Sequence, residues 1–583
     1  MEFFWVKDRM KKMKKIVLIC FYDKISVSIR ALSSVIKKKG HECHLVAFKE
    51  DRSGVIDKFN DNSTYHQYLF NGKLIGCGND INPPTEKELS LIQDYVGKEK
   101  PDIIGFSVRS MMFDLSKNIA SRFRKVLPNT TIIGGGYGTS LEPEKFLKIF
   151  DYICIGEGEK FIDNFIDYID KDLSKIHNLG RKSGSDYLQN SLGTPYDLDT
   201  NIPDWDFPNK ILIENNKVVP LSEAYDTRTY DIFVSRGCPA TCTYCMANQM
   251  KNIYHKHNTE YPKARLRSVT SVIKELALAK DKFNINYVRF MDSIFGYNRR
   301  WLFEFLDEYD KHIGLRFFCN LDTRFTKKDM ITRLQASNLI QTTVGIQSTS
   351  EDIRTKIMGR RTTDNELVDY AWNLHNIGIK FQYDMIHWNP FETEKSLSNG
   401  ISLLRRLPKN GQIVLFQLKF FPESPITKLY AEKKPPSLKK EIFDFYAWIY
   451  TFILTGGKFE QLASVIEPYE TFKRNPELLR DFYLEMKAGE YSNVIIAGKD
   501  IKKDSIVLTT MIDYRKKTDE ESTAMYDNPL EGNGTKKNEA SEFGISFDDR
   551  EKLVNCISRR DIKEGELIRS DDIYSSYGEK KIF

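Results

Sequence analysis

Two stretches of this 583-residue chain alternate short, nearly uninterrupted apolar runs with amphipathic helical patterns, and that rhythm restricts the fold more than any other feature. Between residues 15 and 170 the runs are KIVLICF, ECHLVAF, PDIIGFSV, TTIIGGG and DYICIG, with IRALSSVIKKKG as the first helical stretch. Strands that do not alternate apolar with polar side chains are covered on both faces, so a doubly wound, Rossmann-like parallel sheet is expected over residues 1–171. From 230 to 425 the rhythm resumes in six strands: DIFVS, YVRFMD, LRFFCN, TTVGIQ, KFQYDMI and IVLFQLKF. Six βα units predict a partial (β/α)6 TIM barrel over residues 228–430, with ligands at the C-terminal ends of its strands.

The remaining length fits a chain of three or four units at roughly 150 residues each. Residues 50–90, rich in Asn, Asp and Gly, interrupt the first sheet as an insertion, and residues 172–227, with IPDWDFP, read as a linker. EIFDFYAWIYTFIL and ELLRDFYLEMKAG predict a helical extension over 431–490. Beyond it, AGKDIKKDSIVLTTMI (497–512) and ISRRDIKEGELIRSDDI (557–573) form an internal repeat, separated by a polar insert at 515–541 that is expected to be disordered.

The 87 basic and 81 acidic side chains are interspersed, so the net charge of +6 gives no reason to expect a nucleic-acid partner. No apolar run approaches the ~20 residues that cross a bilayer, and KDRMKKMKK near the start lacks the apolar core of a signal peptide. A cytoplasmic protein without a membrane partner is expected, its thiols reduced. Cys20, Cys43, Cys77 and Cys556 then read as buried small hydrophobes.

Three other cysteines are clustered. SRGCPATCTYC places Cys238, Cys242 and Cys245 directly after the first barrel strand, in the spacing CxxxCxxC. A structural zinc site takes four ligands, for which His255 or His257 would have to supply the fourth. Three thiolates alone suit a cubane iron–sulfur cluster with one iron left open.

With that spacing at that place in a six-unit barrel, the chain resembles the radical S-adenosylmethionine superfamily. The resemblance implies that Cys238, Cys242 and Cys245 hold a [4Fe–4S] cluster, that its open iron binds S-adenosylmethionine, and that reductive cleavage yields a 5′-deoxyadenosyl radical. An electron donor such as flavodoxin or ferredoxin is implied as a partner. Tyr244 matches the position whose backbone contacts adenine. Asp292 in FMDSIF would lie beside the methionine moiety, Gln347 in VGIQSTSEDI near ribose or carboxylate, and Asp384 with the Asn389–Pro390 turn under the adenosine. Arg360 and Arg361 could clamp a carboxylate or remain a solvated pair.

GFSVRS, IIGGGYGTS and DYICIGEGE resemble the cobalamin-binding domain that precedes the barrel in one subgroup of that superfamily, and Ser107, Gly134, Gly135, Gly136 and Gly158 would line the corrinoid tail. The DxHxxG element is absent and Tyr137 stands where many members carry histidine, which implies cobalamin bound without a histidine from the protein. The C-terminal repeat resembles the SAF (antifreeze-like) β-clip domain, with Asp504 where the first copy would have glycine and Gly565 kept in the second. In sialic-acid-type synthases that domain caps an amino-sugar site; packing or dimerisation is the other role open to it. Together these features imply cobalamin-dependent C-methylation of a small molecule, with a sugar or nonulosonic acid as the substrate class. A radical rearrangement, epimerisation or cyclisation, and an iron–sulfur or zinc sugar-binding module, are the alternatives.

Overall fold

The computed structural model describes residues 13–50, 83–184, 186–224, 228–409, 413–454 and 563, together with the strands Gly54–Val55, His66–Phe70, Lys73–Cys77, Asn493–Ala497, Ile512–Lys516, Cys556–Ser558 and Ile573–Ser575. The chain divides into two compact units, the larger formed chiefly by Met1–Tyr68 and Gly76–Leu438.

Within that unit the first sheet is built on Lys15–Phe21, which pairs in parallel with Glu42–Phe48 on one side and Ile103–Ser107 on the other. Thr131–Gly135 and Tyr152–Cys154 continue it in parallel, so the five strands expected from the sequence run in the order 2-1-3-4-5. KIVLICF and ECHLVAF are buried at every position after the first, as continuous apolar runs require. One face packs Val17, Ile19, Val46 and Ile104 under the helices Glu86–Glu99 and Phe113–Val126. The other packs Ile16, Leu18 and Leu45 under Val27–Lys38 and Gly158–Tyr168. Strand order reverses between Lys15–Phe21 and Ile103–Ser107, and the crevice beyond such a reversal is where open α/β sheets bind ligands.

Residues 172–227 are not a linker. Lys210–Glu214 adds to Glu42–Phe48 in parallel and carries Lys217–Pro220 at that edge, while Leu179–Ser183 and Asp186–Gln189 extend the opposite edge antiparallel. IPDWDFP docks rather than dangles. Asp204 accepts a hydrogen bond from Ser33 at 2.6 Å and pairs with Lys37 (2.7 Å) and Lys210 (3.0 Å), and the Arg30 guanidinium lies 4.3 Å from the centroid of the Trp205 ring.

The barrel strands are Thr229–Ile232, Tyr287–Phe290, Arg316–Cys319, Leu339–Gln347, Lys380–Trp388 and Ile413–Gln417, parallel and adjacent in sequence order. The loops after the strands run into helices capped by short polar side chains: Ser268, Asn298, Thr363 and Thr393 each accept a backbone N–H from the first turn. Each such cap contributes about 1 kcal/mol to fixing where its helix begins, and with it the length of the preceding strand-end loop. The sixth strand pairs antiparallel with His66–Phe70, from the insertion in the first domain. No helix among the described residues is long and apolar enough to cross a membrane.

In the smaller unit, Asn493–Ala497 pairs antiparallel with Ile512–Lys516 and Cys556–Ser558 with Ile573–Ser575, so each copy of the repeat is bracketed by a strand pair. The rest of the SAF-like region, including Asp504, Gly565 and most of the 515–541 insert, lies outside the described residues, as do residues 455–490 of the expected helical extension.

Candidate active site

The CxxxCxxC loop is fixed at both ends by backbone geometry. Ser235–Gly237 forms a short antiparallel pair with Ala264–Leu266. Gly237 has φ +90°, and a Cβ there would lie 2.4 Å from the Lys263 carbonyl oxygen, so only glycine admits the close approach in which the Cys238 N–H donates to that oxygen at 3.0 Å. Farther on, the Thr243 N–H donates to the Met358 carbonyl at 3.1 Å and Thr243 Oγ1 to the Ile357 carbonyl at 2.7 Å. The loop is thereby strapped to the segment after the fourth barrel strand.

Asp292 supports the same loop from below. It is 1% exposed and accepts hydrogen bonds from the Val234 N–H (3.1 Å), the Ser235 N–H (2.6 Å) and the Ser235 hydroxyl (2.5 Å). Burial pushes its carboxyl up to about 6 against these bonds, which favour the charged form. In this structure Asp292 holds the backbone leading to Cys238 rather than standing free at the strand end.

Burial also raises Cys238, to about 11, and Cys245, although the Ala240 N–H bonds the first sulfur and the Ala247 N–H the second. Thiols in such surroundings become thiolates against the positive charge of a metal centre. Elsewhere among the described residues, Glu42, His44 and Glu99 bring one ligand atom each within 4.8 Å of one another. That trio is already served by a cation, because Lys15 Nζ lies 2.9 Å from Glu99 and 3.5 Å from Glu42. His255 and His257 are both exposed at the end of the helix Ala247–Lys256, and His257 meets Gln189 at 3.1 Å. The donor set fits a cluster of several irons better than zinc.

Four other sequence candidates converge beside Cys242. Arg360 is buried, 6% exposed: its Nη1 lies 4.0 Å from Cys242 Sγ, and its Nη2 donates to Asp322 (3.0 Å) and to the Gly345 carbonyl (3.1 Å). Arg361 is exposed, so the two arginines do not act as a pair. Tyr244 accepts a hydrogen bond from Arg360, and its ring packs with Ile353, Met358, Ile386 and Ile426. Gln347, at φ +64°, has its amide beside Gly345 and Arg360. Asp384 accepts from Gln382 at 2.9 Å and feels the Arg360 charge, yet burial pushes it up to about 7. Two buried donors here, Arg360 Nε and Asn389 Nδ2, have no hydrogen-bond partner among the described residues. Such orphans fit a site that awaits a polar ligand carrying acceptors, as the carboxylate of S-adenosylmethionine does.

Asp322 and Arg324 join them without belonging to any sequence motif. They follow the third barrel strand as the other candidates follow theirs, so LDTRF at that strand end was the available signal. Arg324 Nε and Nη2 donate to Asp322 at 2.8 and 2.9 Å, and Nη2 reaches Cys242 Sγ at 3.5 Å.

A cavity of about 480 Å³ opens where the first sheet faces the CxxxCxxC loop. Ser107, Gly134, Gly135, Gly136, Tyr137 and Gly158 all line it, as do Arg236, Gly237, Ala247 and Met250 from the barrel. It runs inward past Leu18, Ile29, Leu32 and Phe161, between sheet and helices, a slot with the apolar walls and glycine rim that a bulky ligand with a tail requires. Gly136 has φ +103°, and a Cβ on it would meet the Val108 carbonyl oxygen at 2.7 Å. Tyr137, 37% exposed, lies within electrostatic reach of Cys245, Cys238 and Arg236.

Carboxylates join the two walls. Glu159 holds Arg236 at 2.5 Å, and Glu157 accepts from Tyr261 (2.9 Å), from the Tyr196 N–H (2.7 Å) and from Arg265. Both glutamates are the charged letters of GEGE, where the glycines alone carry the resemblance to a corrinoid site.

Comparison with known proteins agrees with this layout. Residues 232–400 match the Radical SAM superfamily and residues 77–166 the B12 binding domain. Among curated relatives, the uncharacterized methyltransferase PH0819 of Pyrococcus horikoshii is 23% identical over 334 residues, covering 54% of this chain and 66% of that protein. The anaerobic magnesium-protoporphyrin IX monomethyl ester cyclase of Rubrivivax gelatinosus is 21% identical over 412 residues, covering 67% and 69%. Among solved structures, the radical S-adenosylmethionine methyltransferase TsrM of Kitasatospora setae, with cobalamin and a [4Fe–4S] cluster bound, superposes at a TM-score of 0.52 with 16% identity, covering 72% of this chain and 78% of that one. The cobalamin-dependent enzyme OxsB, with aqua-cobalamin and S-adenosylmethionine bound, gives 0.51 and 16%, covering 74% and 56%. The chain thus carries a B12 binding domain followed by a Radical SAM domain, and its cofactors are a [4Fe–4S] cluster, S-adenosylmethionine and cobalamin.

Proposed function

We propose that this protein is a cobalamin-dependent radical S-adenosylmethionine enzyme that methylates an unactivated carbon of a small molecule. The observation that carries the reading is the shared cavity, in which the glycine rim of the first sheet and the strand leading to Cys238 are opposite walls of one space. When bound, the cluster with S-adenosylmethionine supplies a 5′-deoxyadenosyl radical for hydrogen abstraction, and cobalamin supplies the methyl group. The chain's own part is to hold and to exclude. Cys238, Cys242 and Cys245 hold the cluster; Arg360, Gln347 and Asn389 offer polar atoms to the S-adenosylmethionine; Ser107, Gly134, Gly135, Gly136 and Gly158 line the space open to the corrinoid. Glu157 and Glu159 keep the two walls in register through Arg265 and Arg236, which serves reacting groups that must meet within ångströms.

The relatives named above include a cyclase beside a methyltransferase, and this favours a second reading in which the radical cyclises or rearranges its substrate. The bracketed C-terminal repeat supports a sugar or nonulosonic acid as the substrate class only through its SAF-like pattern. The deciding experiment is anaerobic turnover with a one-electron donor and S-adenosylmethionine labelled at its methyl group, over a panel of sugars and sugar nucleotides. Label in product, with 5′-deoxyadenosine and S-adenosylhomocysteine formed alongside, is the expected result. 5′-Deoxyadenosine with unlabelled product supports the cyclase-like reading. Reconstituted protein that holds cluster and cobalamin yet cleaves no S-adenosylmethionine sinks both.

A further inference from the structure

The cysteine sulfurs of the CxxxCxxC loop meet two kinds of donor. Cys238 and Cys245 take backbone N–H groups two residues along, from Ala240 and Ala247. Cys242 instead faces two guanidiniums, Arg324 Nη2 at 3.5 Å and Arg360 Nη1 at 4.0 Å. Both arginines lean on one carboxylate: Asp322 receives Arg324 at 2.8 and 2.9 Å and Arg360 at 3.0 Å. Two positive charges against one negative leave a net positive charge beside a single sulfur, and all three side chains are largely buried, at 14%, 7% and 7% exposure for Arg324, Arg360 and Asp322.

The geometry points to Arg324 as a positioning residue that sets the reduction potential of the cluster, acting through Cys242. Arg360 is committed elsewhere, to the Gly345 carbonyl and Tyr244, whereas Arg324 spends its side-chain hydrogen bonds on Asp322 and the sulfur. A cluster that accepts one electron gains one negative charge. A neighbouring cation in a water-poor site stabilises the reduced form more than the oxidised one, and a hydrogen bond to the ligand sulfur acts in the same direction. Arg324 therefore eases electron entry from a one-electron donor, and the Asp322 carboxylate, gripping the rigid guanidinium fork through both oxygens, keeps it where it can do so.

This inference rests on the cluster assignment above, and its test separates the two. Wild type, Arg324→Gln and Arg324→Lys are reconstituted anaerobically as full-length chains, without S-adenosylmethionine. Iron and sulfide are counted, and the cluster is then titrated with dithionite and mediators under EPR. Equal iron in all three is expected. In Arg324→Gln the ratio of reduced to oxidised cluster at a fixed potential should fall about tenfold, a midpoint lower by about 59 mV for one electron. Arg324→Lys, which keeps the charge but not the fork, should fall less in the same direction. An Arg324→Gln protein with full iron and the wild-type midpoint overturns the inference and leaves the contact as packing. Should that variant hold no iron, Arg324→Lys decides, and a wild-type midpoint there overturns it equally. A wild-type chain without iron or sulfide would instead defeat the cluster assignment itself.

Discussion

The two strand-end edges that face each other across the cavity are made by opposite means. The first sheet's edge is emptied of side chains: Gly134, Gly135, Gly136 and Gly158 line it, and where Gly136 adopts φ +103° no other residue fits without strain. The barrel's edge gathers charge instead: Asp292, Asp322 and Arg360 are buried, and Arg324 and Asp384 half-buried, around the loop of cysteines. One edge selects a ligand by room, the other by potential. Substitutions should therefore act sterically on one side and electrostatically on the other, and the two failures should be separable in a single protein.

The largest effect is expected on the charged side. Cys242→Ser should abolish iron and sulfide binding on anaerobic reconstitution while the far-ultraviolet dichroism stays that of the wild type, because the loop remains tied by Thr243 to the Ile357 and Met358 carbonyls. Iron retained at the wild-type level would erase the distinction between the edges. A smaller and complementary loss belongs to the emptied side. Gly136→Ala strains a left-handed backbone by about 1–3 kcal/mol and pushes a Cβ against the Val108 carbonyl, so hydroxocobalamin retention in gel filtration should drop while the iron count does not. If both fall together, the edges are not independent. The smallest effect is one of pH. Burial holds the Asp384 carboxyl near 7, above its unfolded value, so its contribution to stability is present below the ordinary carboxylate range and is lost as pH rises through 7. The thermal midpoint of wild type relative to Asp384→Asn should therefore decline between pH 5 and pH 8, by a few degrees at most; a flat difference would place that carboxyl in water.

The strands and the cysteine loop were legible because each is written locally: continuous apolar runs announce doubly covered strands, and CxxxCxxC needs no partner elsewhere to be recognised. What was hidden depends on partners far along the chain. Lys210–Glu214 becomes a strand only against Glu42–Phe48, and IPDWDFP becomes ordered only because Arg30, Ser33 and Lys37 lie along the helix that meets Trp205 and Asp204. The Asp322–Arg324 pair showed no motif, since two charged residues in a loop are usually solvated; its meaning comes from Cys242, eighty-two residues earlier. Asp292 stands at a strand end, as its sequence position indicates, but its hydrogen bonds from Val234 and Ser235 give it a backbone-holding part that depends on residues 57 and 58 positions earlier.

The helix Ala247–Lys256, which leaves Cys245, carries Tyr254 into the core of the other domain. There Tyr254 is 1% exposed, stacks on Tyr261 with ring centroids 4.4 Å apart, and accepts the Glu157 N–H at 3.0 Å. A Cβ on Gly156 would lie 2.5 Å from the Tyr254 hydroxyl. The two domains are consequently not interchangeable parts. A chimera that grafts another B12 binding domain onto this barrel must bring its own glycine at position 156 and a receptive bed for both tyrosines, and a barrel expressed without its N-terminal half would present to water two aromatic rings that this fold keeps dry.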